Sequence, residues 1–391
     1  MQASLTVLAA ASLLSVPVLA QPRAVQPPEW VHSLTEAQTR ARDAAKPILI
    51  YCWMDGSDYC TKLFQDTLSA DGAADALGEF VCYSAKHGGA GVQDVFKKYG
   101  VTTMPTMLFV TPDGKADDLI QGFIPVEDFV TELTRVKKGE GTVTALEQML
   151  TTSKKGSDDN VSARWQLAGK IQALGQHDRH DELMDSIRDV DPKGATLIGA
   201  RLRMNDIVDD IVGQEGDGHD NETDQEAEAR VKAWNLTPLY AHVKTVKLQE
   251  AKHEAWMRIG NMEVNRKDMQ SAFKAFNAAW KTCPEEKVVD WSNDIARWII
   301  KDAEQRTSKE KKFALTLATK ALATLKKRLK EEPPTDDKRE MYANYQAYCY
   351  NTIAWCNHIN GKKSPAIKAA KKAIELRKTD QYLKDLAKMQ E

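Results

Sequence analysis

The sequence predicts two parts of different fold class, an α/β sandwich near the N-terminus joined to an all-α region that fills the rest of the chain. Short, partly β-branched apolar runs alternate with helical spacing up to about residue 138, a pattern that builds a sheet with helices packed on it. From Val161 onward Pro and Gly are sparse, Ala, Lys, Leu and Glu abound, and apolar residues recur at helical spacing alone. The 391 residues also exceed what one ordinary core organises, so two or more domains of roughly 100 to 200 residues are expected.

Residues 1–20 carry no charged side chain, hold an apolar run from Leu5 to Leu19, and end in Val18-Leu19-Ala20. This is the pattern of a signal peptide cleaved after Ala20. The run is interrupted by Pro17 and falls short of the roughly 20 apolar residues of a spanning helix. Past Pro22 every apolar stretch is broken by charge, so no stable membrane insertion is expected after cleavage, and the protein is expected in a periplasm or outside the cell. Residues 21–29 form a Pro-rich linker. A formal net charge of -2 gives no electrostatic case for nucleic acid, and charged residues, 28% of the chain with both signs interspersed, suit solvated helix faces. Six cysteines are too few for a disulfide scaffold.

Between residues 30 and 138 the elements follow in order. Amphipathic spacing predicts a helix over 34–44, and the run Pro47-Ile-Leu-Ile-Tyr-Cys-Trp53 a buried strand. A polar turn, Met54 to Cys60, leads into helical spacing from Thr61. A second strand over 79–83, a helix over 92–99, a third strand over 105–110, a turn at Pro112-Asp113-Gly114, a strand near 118–122 and a closing helix over 126–137 complete the sandwich.

The segment Ile48-Leu-Ile-Tyr-Cys-Trp-Met-Asp-Gly-Ser-Asp-Tyr-Cys-Thr61 resembles, without a gap, the strand-to-active-helix segment of the thioredoxin superfamily. Trp53 falls on the family's tryptophan, Gly100-Val-Thr-Thr-Met-Pro-Thr106 resembles the segment that carries its cis-proline, here Pro105, and Gly122 matches the glycine before the last helix. The resemblance implies a thioredoxin fold, and it places the family's CxxC site at Ser57-Asp58-Tyr59-Cys60. The attacking thiolate of a dithiol enzyme sits at the first position, where the helix dipole lowers its pKa. Serine stands there, and a hydroxyl forms no disulfide. Gly56 replaces the family's usual aromatic residue, and Tyr51 stands where many members keep a buried acid. The candidate site is therefore Cys60 with Ser57 and Pro105, in a degenerate form. Two readings stay open for Cys60: a monothiol site with Ser57 donating a hydrogen bond to the sulfur, or packing alone. Cys52 and Cys82 read as core residues, and a bridge between them needs Cα atoms within about 7 Å. No cofactor is implied.

Residues 139–160 are expected as a linker and 161–391 as helical repeats. Trp256, Ile259, Gly260, Ala272, Phe276, Ala279 and Pro284 fall on the signature positions of the tetratricopeptide repeat, and Tyr350, Ile353, Ala354, Gly361, Ala366, Ala370 and Ala373 fit the same template. Asn293 to Ala321 and the weaker Ala168, Gly175 and Pro192 supply further candidate units, whereas 193–250 fits none. The resemblance implies a tetratricopeptide-like solenoid, a curved array that holds protein or peptide clients. The acidic segment 215–226 lacks EF-hand spacing and reads as a solvated loop. His177 and His180 lie in a turn with no third ligand in view, so no metal is expected. Cys349 and Cys356, one helix face but about 10 Å of rise apart, read as core.

The leading expectation for function is an exported interaction scaffold, with clients held by the repeats and by a thioredoxin-like domain that lacks the dithiol site. The alternative is a monothiol redox protein acting on disulfides or thiol clients through Cys60, which leaves enzymatic activity open. A third reading makes the thioredoxin-like domain a cap for the apolar end of the array.

Overall fold

A computed structural model describes residues 29–213, 222–301 and 303–391. The segment 1–20 read as a signal peptide, nearly all of the Pro-rich segment and much of the acidic stretch 215–226 lie outside the described residues. The described residues divide into two compact units, 29–152 together with 166–183, and 153–165 together with those from 184 onward.

In the first unit, helix α1 (Leu34–Ala44) starts where the Ser33 hydroxyl accepts the Glu36 amide, a cap that its sequence provides locally. Strand β1 (Ile48–Trp53) follows, then α2 (Asp58–Leu63), a π-helical turn over Phe64–Leu68, and α3 (Asp71–Leu77). The remaining elements are β2 (Val81–Lys86), α4 (Val92–Tyr99), β3 (Thr106–Val110), β4 (Ala116–Gln121) and α5 (Val126–Lys137). The four strands form one sheet in the order β2-β1-β3-β4, with β1 parallel to β2 and antiparallel to β3, and β3 antiparallel to β4. The short polar turn between β3 and β4 suits an antiparallel pair, and the parallel pair is joined through helices, as parallel pairing requires.

The central strand sorts its side chains between the two faces. Leu49 and Tyr51 share a face with their cross-strand partners Phe109 and Met107, and pack with Leu63, Phe80, Phe129 and Leu133. Cys82 lies opposite Leu49 and joins that cluster, whereas Cys52 lies opposite Ala85 and faces the other way. The two thiols are free and buried on opposite faces of the sheet, which the alternation of a pleated strand dictates.

The stretch 139–160, read from the sequence as a connection, holds α6 (Val143–Thr152) and the start of α7 (Asp158–Ala173). Helix α6 buries Val143 and Leu146, and the Thr144 amide donates to Asp117 Oδ1 at 2.7 Å. Residues 166–183, which spacing alone assigns to the opening helical pair, cluster with the first unit. A fully buried carboxylate explains part of this. Asp118 on β4 accepts from Arg135 Nη2 at 2.7 Å, from Lys170 Nζ at 2.5 Å and from the Leu119 amide at 2.8 Å. A buried charge is tolerated only when it is paired and hydrogen-bonded in this way.

The second unit is helical. After α8 (His177–Val190), α9 (Leu197–Val212), α10 (Asp224–Lys232) and α11 (Thr237–Thr245), three helical hairpins succeed one another. They are α12 (Gln249–Asn265) with α13 (Met269–Lys281), α14 (Val288–Lys301) with α15 (Ser308–Glu331), and α16 (Arg339–Ile359) with α17 (Lys363–Leu376); α18 (Asp380–Gln390) ends the series. The helices meet on small residues: Ala272, Ala275, Ala279, Ala314, Ala318, Ala366 and Ala373 are all fully buried. At Gly260 a Cβ would overlap the ring of Phe276, so the phenyl group fills the space that glycine leaves. Cys349 and Cys356 are fully buried among these packing positions. Among the described residues no helix is long and apolar enough to cross a membrane.

Candidate functional site

The turn after β1 begins the site. Gly56 adopts φ 72°, the left-handed region in which a side chain is strained, and Ser57 then returns to extended backbone at φ -93° and ψ 112° as the N-cap of α2. Its Oγ accepts the Cys60 amide at 3.3 Å, and its carbonyl accepts from the Thr61 amide and hydroxyl. Among the described residues the Ser57 hydroxyl has this amide as its hydrogen-bond partner, not the Cys60 sulfur. It satisfies a helix end.

Cys60 is one turn inside the helix and only 2% exposed. Its carbonyl accepts from the Tyr51 hydroxyl at 2.8 Å. Burial pushes the Tyr51 phenol well above its ordinary pKa, with the Cys60 thiol adding to the shift. A phenol is protonated at neutral pH with or without that shift, so the hydroxyl is a donor here. Pro105 follows a cis peptide bond and is buried at the entrance to β3. Its carbonyl accepts the Gly122 amide at 2.8 Å, and the next residue, Thr106, lies opposite Cys52. The fold thus joins Ser57 to Cys60 by a direct hydrogen bond and places Pro105 at the neighbouring strand end.

Beside these residues a cleft of about 410 Å³ opens, lined by Cys60 and Thr61 but by neither Ser57 nor Pro105. Its walls are aromatic. The Tyr51 ring lies 6.1 Å from Trp30, 6.2 Å from Trp53 and 6.4 Å from Phe64 between centroids, within the range of favourable ring pairs. Trp53 Nε1 donates to Ser84 Oγ at 2.9 Å, which fixes the indole. Lys86 stands 5.3 Å from the Trp53 ring and pairs with Asp55 at 2.7 Å. Trp30 and His32 reach the cleft because Val31 makes a parallel bridge to Tyr83, with the Val31 amide donating to Cys82 and the Ser84 amide to Val31. Of the lining residues Met54 and Phe64 are 40% and 45% exposed, and Tyr59, next to Cys60 in the chain, is 69% exposed, large apolar side chains at the surface.

Trp30, His32, Phe64, Gln65 and Ser84 were not among the residues singled out by sequence spacing. Phe64 is four residues after Cys60 on a helical pattern, and Tyr51 and Trp53 alternate on one strand face, so part of the aromatic wall carries a local signal. Trp30 and Ser84 come from distant segments and carry none. His177 and His180, read from the sequence as lying in a turn between helices, instead sit in the first turn of α8, where His180 Nδ1 contacts the Ala168 carbonyl at 3.0 Å.

Comparison with known proteins bears on the same region. A thioredoxin from Thermus thermophilus is similar at 23% identity over 30% of this chain and 92% of that chain, with a TM-score of 0.28. The DsbH oxidoreductase is similar at 18% identity over 34% of this chain and 94% of that one, TM-score 0.27. The oxidised C-terminal domain of DsbD from Neisseria meningitidis is similar at 18% identity over 27% of this chain and 98% of that one, TM-score 0.25. Curated protein sequences gave no match. The family described as thioredoxin-like domain matches residues 34–137, and with the four-stranded mixed sheet and its flanking helices this segment is a thioredoxin-like domain.

Proposed function

We propose that the protein is an exported, client-binding scaffold in which the thioredoxin-like domain binds polypeptide without exchanging disulfides, while tetratricopeptide-type repeats in the helical region hold protein or peptide clients. The observation that carries this reading is the state of the Ser57 to Cys60 turn. The position of an attacking thiol is a serine whose hydroxyl caps α2, and the remaining thiol is buried. Neither group offers an exposed thiolate, which thiol exchange requires. The aromatic cleft and the exposed Met54, Tyr59 and Phe64 instead suit contact with apolar segments. The three successive hairpins with alanine-lined crossings support the repeat reading, and the uncharged leader supports export.

The test is the pH dependence of Cys60 alkylation in the folded chain, with the other five cysteines replaced after the fold is checked. Cys60 is expected to stay unreactive until denaturant is added. Fast labelling that titrates well below the ordinary thiol value of about 8.5 would replace this reading with the monothiol one, and trapping of mixed disulfides with clients would follow.

A further inference from the structure

The cleft beside Cys60 has a chemistry narrower than that of a general apolar patch. Two of its polar ring groups are engaged inside the domain, since the Tyr51 hydroxyl donates to the Cys60 carbonyl and the Trp53 indole to Ser84, while the Trp30 indole and the His32 imidazole complete the ring lining. Its charged pair is neutralised, since Asp55 and Lys86 hold each other at 2.7 Å. An incoming group therefore meets chiefly ring faces and edges, with Met54, Thr61 and Gln65 beside them, and no unpaired carboxylate. A cationic ligand would have to compete with the Lys86 ammonium already placed over Trp53, and an anionic one would meet the aromatic π-faces, which repel negative charge.

The shape points the same way. A volume of about 410 Å³ is at the lower end of the roughly 300 to 1,000 Å³ of small-molecule sites, enough for a flat side chain but not for a folded surface. Three rings surround Tyr51 at 6.1 to 6.4 Å between centroids, so a further ring in the cleft would reach several partners at the separations aromatic pairs favour. Two of these walls are fixed by main-chain pairing, Trp53 within β1 and Trp30 through the Val31 bridge. Phe64, on the π-helical turn, is the exposed one.

We propose that this cleft is a binding site for a neutral aromatic side chain presented by a polypeptide, and that it is separate from the Ser57 and Pro105 positions. The proposal rests on the client-binding reading for its biological sense, but its chemistry is tested alone. The full chain carries nine tryptophans; labelled with 5-fluorotryptophan, its Trp30 and Trp53 resonances are assigned by Trp30→Phe and Trp53→Phe. Titration with the blocked tripeptide N-acetyl-Gly-Trp-Gly-amide is expected to shift those two fluorine resonances saturably and to leave those of the helical region in place. Phe64→Ala should weaken the tripeptide by about three- to tenfold, the value of one lost ring pair, and Gln65→Trp, which places bulk at the rim, should block it.

Equal binding of the leucine or lysine tripeptide would overturn the aromatic specificity, and unmoved Trp30 and Trp53 resonances would overturn the site itself. An unchanged affinity in both Phe64→Ala and Gln65→Trp would place the tripeptide elsewhere and also refute it. Capture of a chemically unfolded protein is measured in parallel. A chain that shifts both resonances yet captures no unfolded protein refutes the scaffold reading and keeps the cleft; the reverse result refutes the cleft alone.

Discussion

The thioredoxin-like sheet and the helical hairpins are both well-filled cores, but they are filled by opposite means. Around β1 the space is closed by bulky groups, with Leu49, Phe109, Phe129 and Leu133 buried against one another. In the hairpins the helices approach over alanines, and at Gly260 the missing side chain makes room for the Phe276 ring. The difference teaches that the two regions are vulnerable to substitutions of opposite sign. A sheet core loses most when a large group is removed, because the rigid layers collapse only partly into the cavity. A small-residue crossing loses most when a group is added, because neighbouring helices must move apart.

The sharpest test of the contrast is Phe129→Ala in the full chain. It should destabilise the thioredoxin-like domain by about 3–5 kcal/mol, read as faster amide hydrogen exchange in peptides from β1, β3 and α5, with peptides from α14 to α17 unaffected. Next comes Ala318→Leu, at a fully buried crossing residue of α15. It should cost about 1–3 kcal/mol and accelerate exchange in α14 and α15 alone. A milder cost for Ala318→Leu than for Ala318→Gly would break the comparison.

Acidity should separate the regions again. His242 and His253 are buried in the helical unit, and burial lowers both pKa values below the ordinary 6.5. His253 Nδ1 contacts the Ala279 carbonyl at 2.7 Å, while Nε2 is buried without a partner among the described residues. The unfolded chain takes up protons at these sites before the folded chain does, so stability falls as pH drops below about 6.5, by at most about 1.4 kcal/mol per pH unit for each histidine. Denaturation followed between pH 7 and 5.5 should therefore show the loss in helical-region peptides, and His253→Phe should flatten it. The smallest effect belongs to Ser57→Ala, which removes the cap of α2 and should cost about 1 kcal/mol without changing Cys60 alkylation in the native state. A large rise in Cys60 reactivity would mean that Ser57 shields the thiol rather than the helix end.

The elements set by local chemistry were legible residue by residue. Helices 34–44, 92–99 and 126–137 begin and end where apolar spacing and turn residues place them, because a cap or a periodic face acts within a few residues of itself. β2 began two residues later than expected and ran on to Lys86, since its extent depends on pairing with β1. The serine at residue 57 was equally legible, and it excludes a disulfide between residues 57 and 60.

What tertiary structure alone decided was which distant groups share one space. Cys52 and Cys82 fell on opposite faces of the sheet because strand register, not spacing, assigns a face. Residues 166–183 joined the first unit, where Lys170 completes the buried partners of Asp118. Through a bridge at Val31, Trp30 reached the cleft that Trp53 and Ser84 also line. By itself the sequence determined the caps and periodic faces of most elements and the serine at residue 57, since these are local. The aromatic cleft was decided by long-range pairing, because its walls come from segments that no periodicity connects.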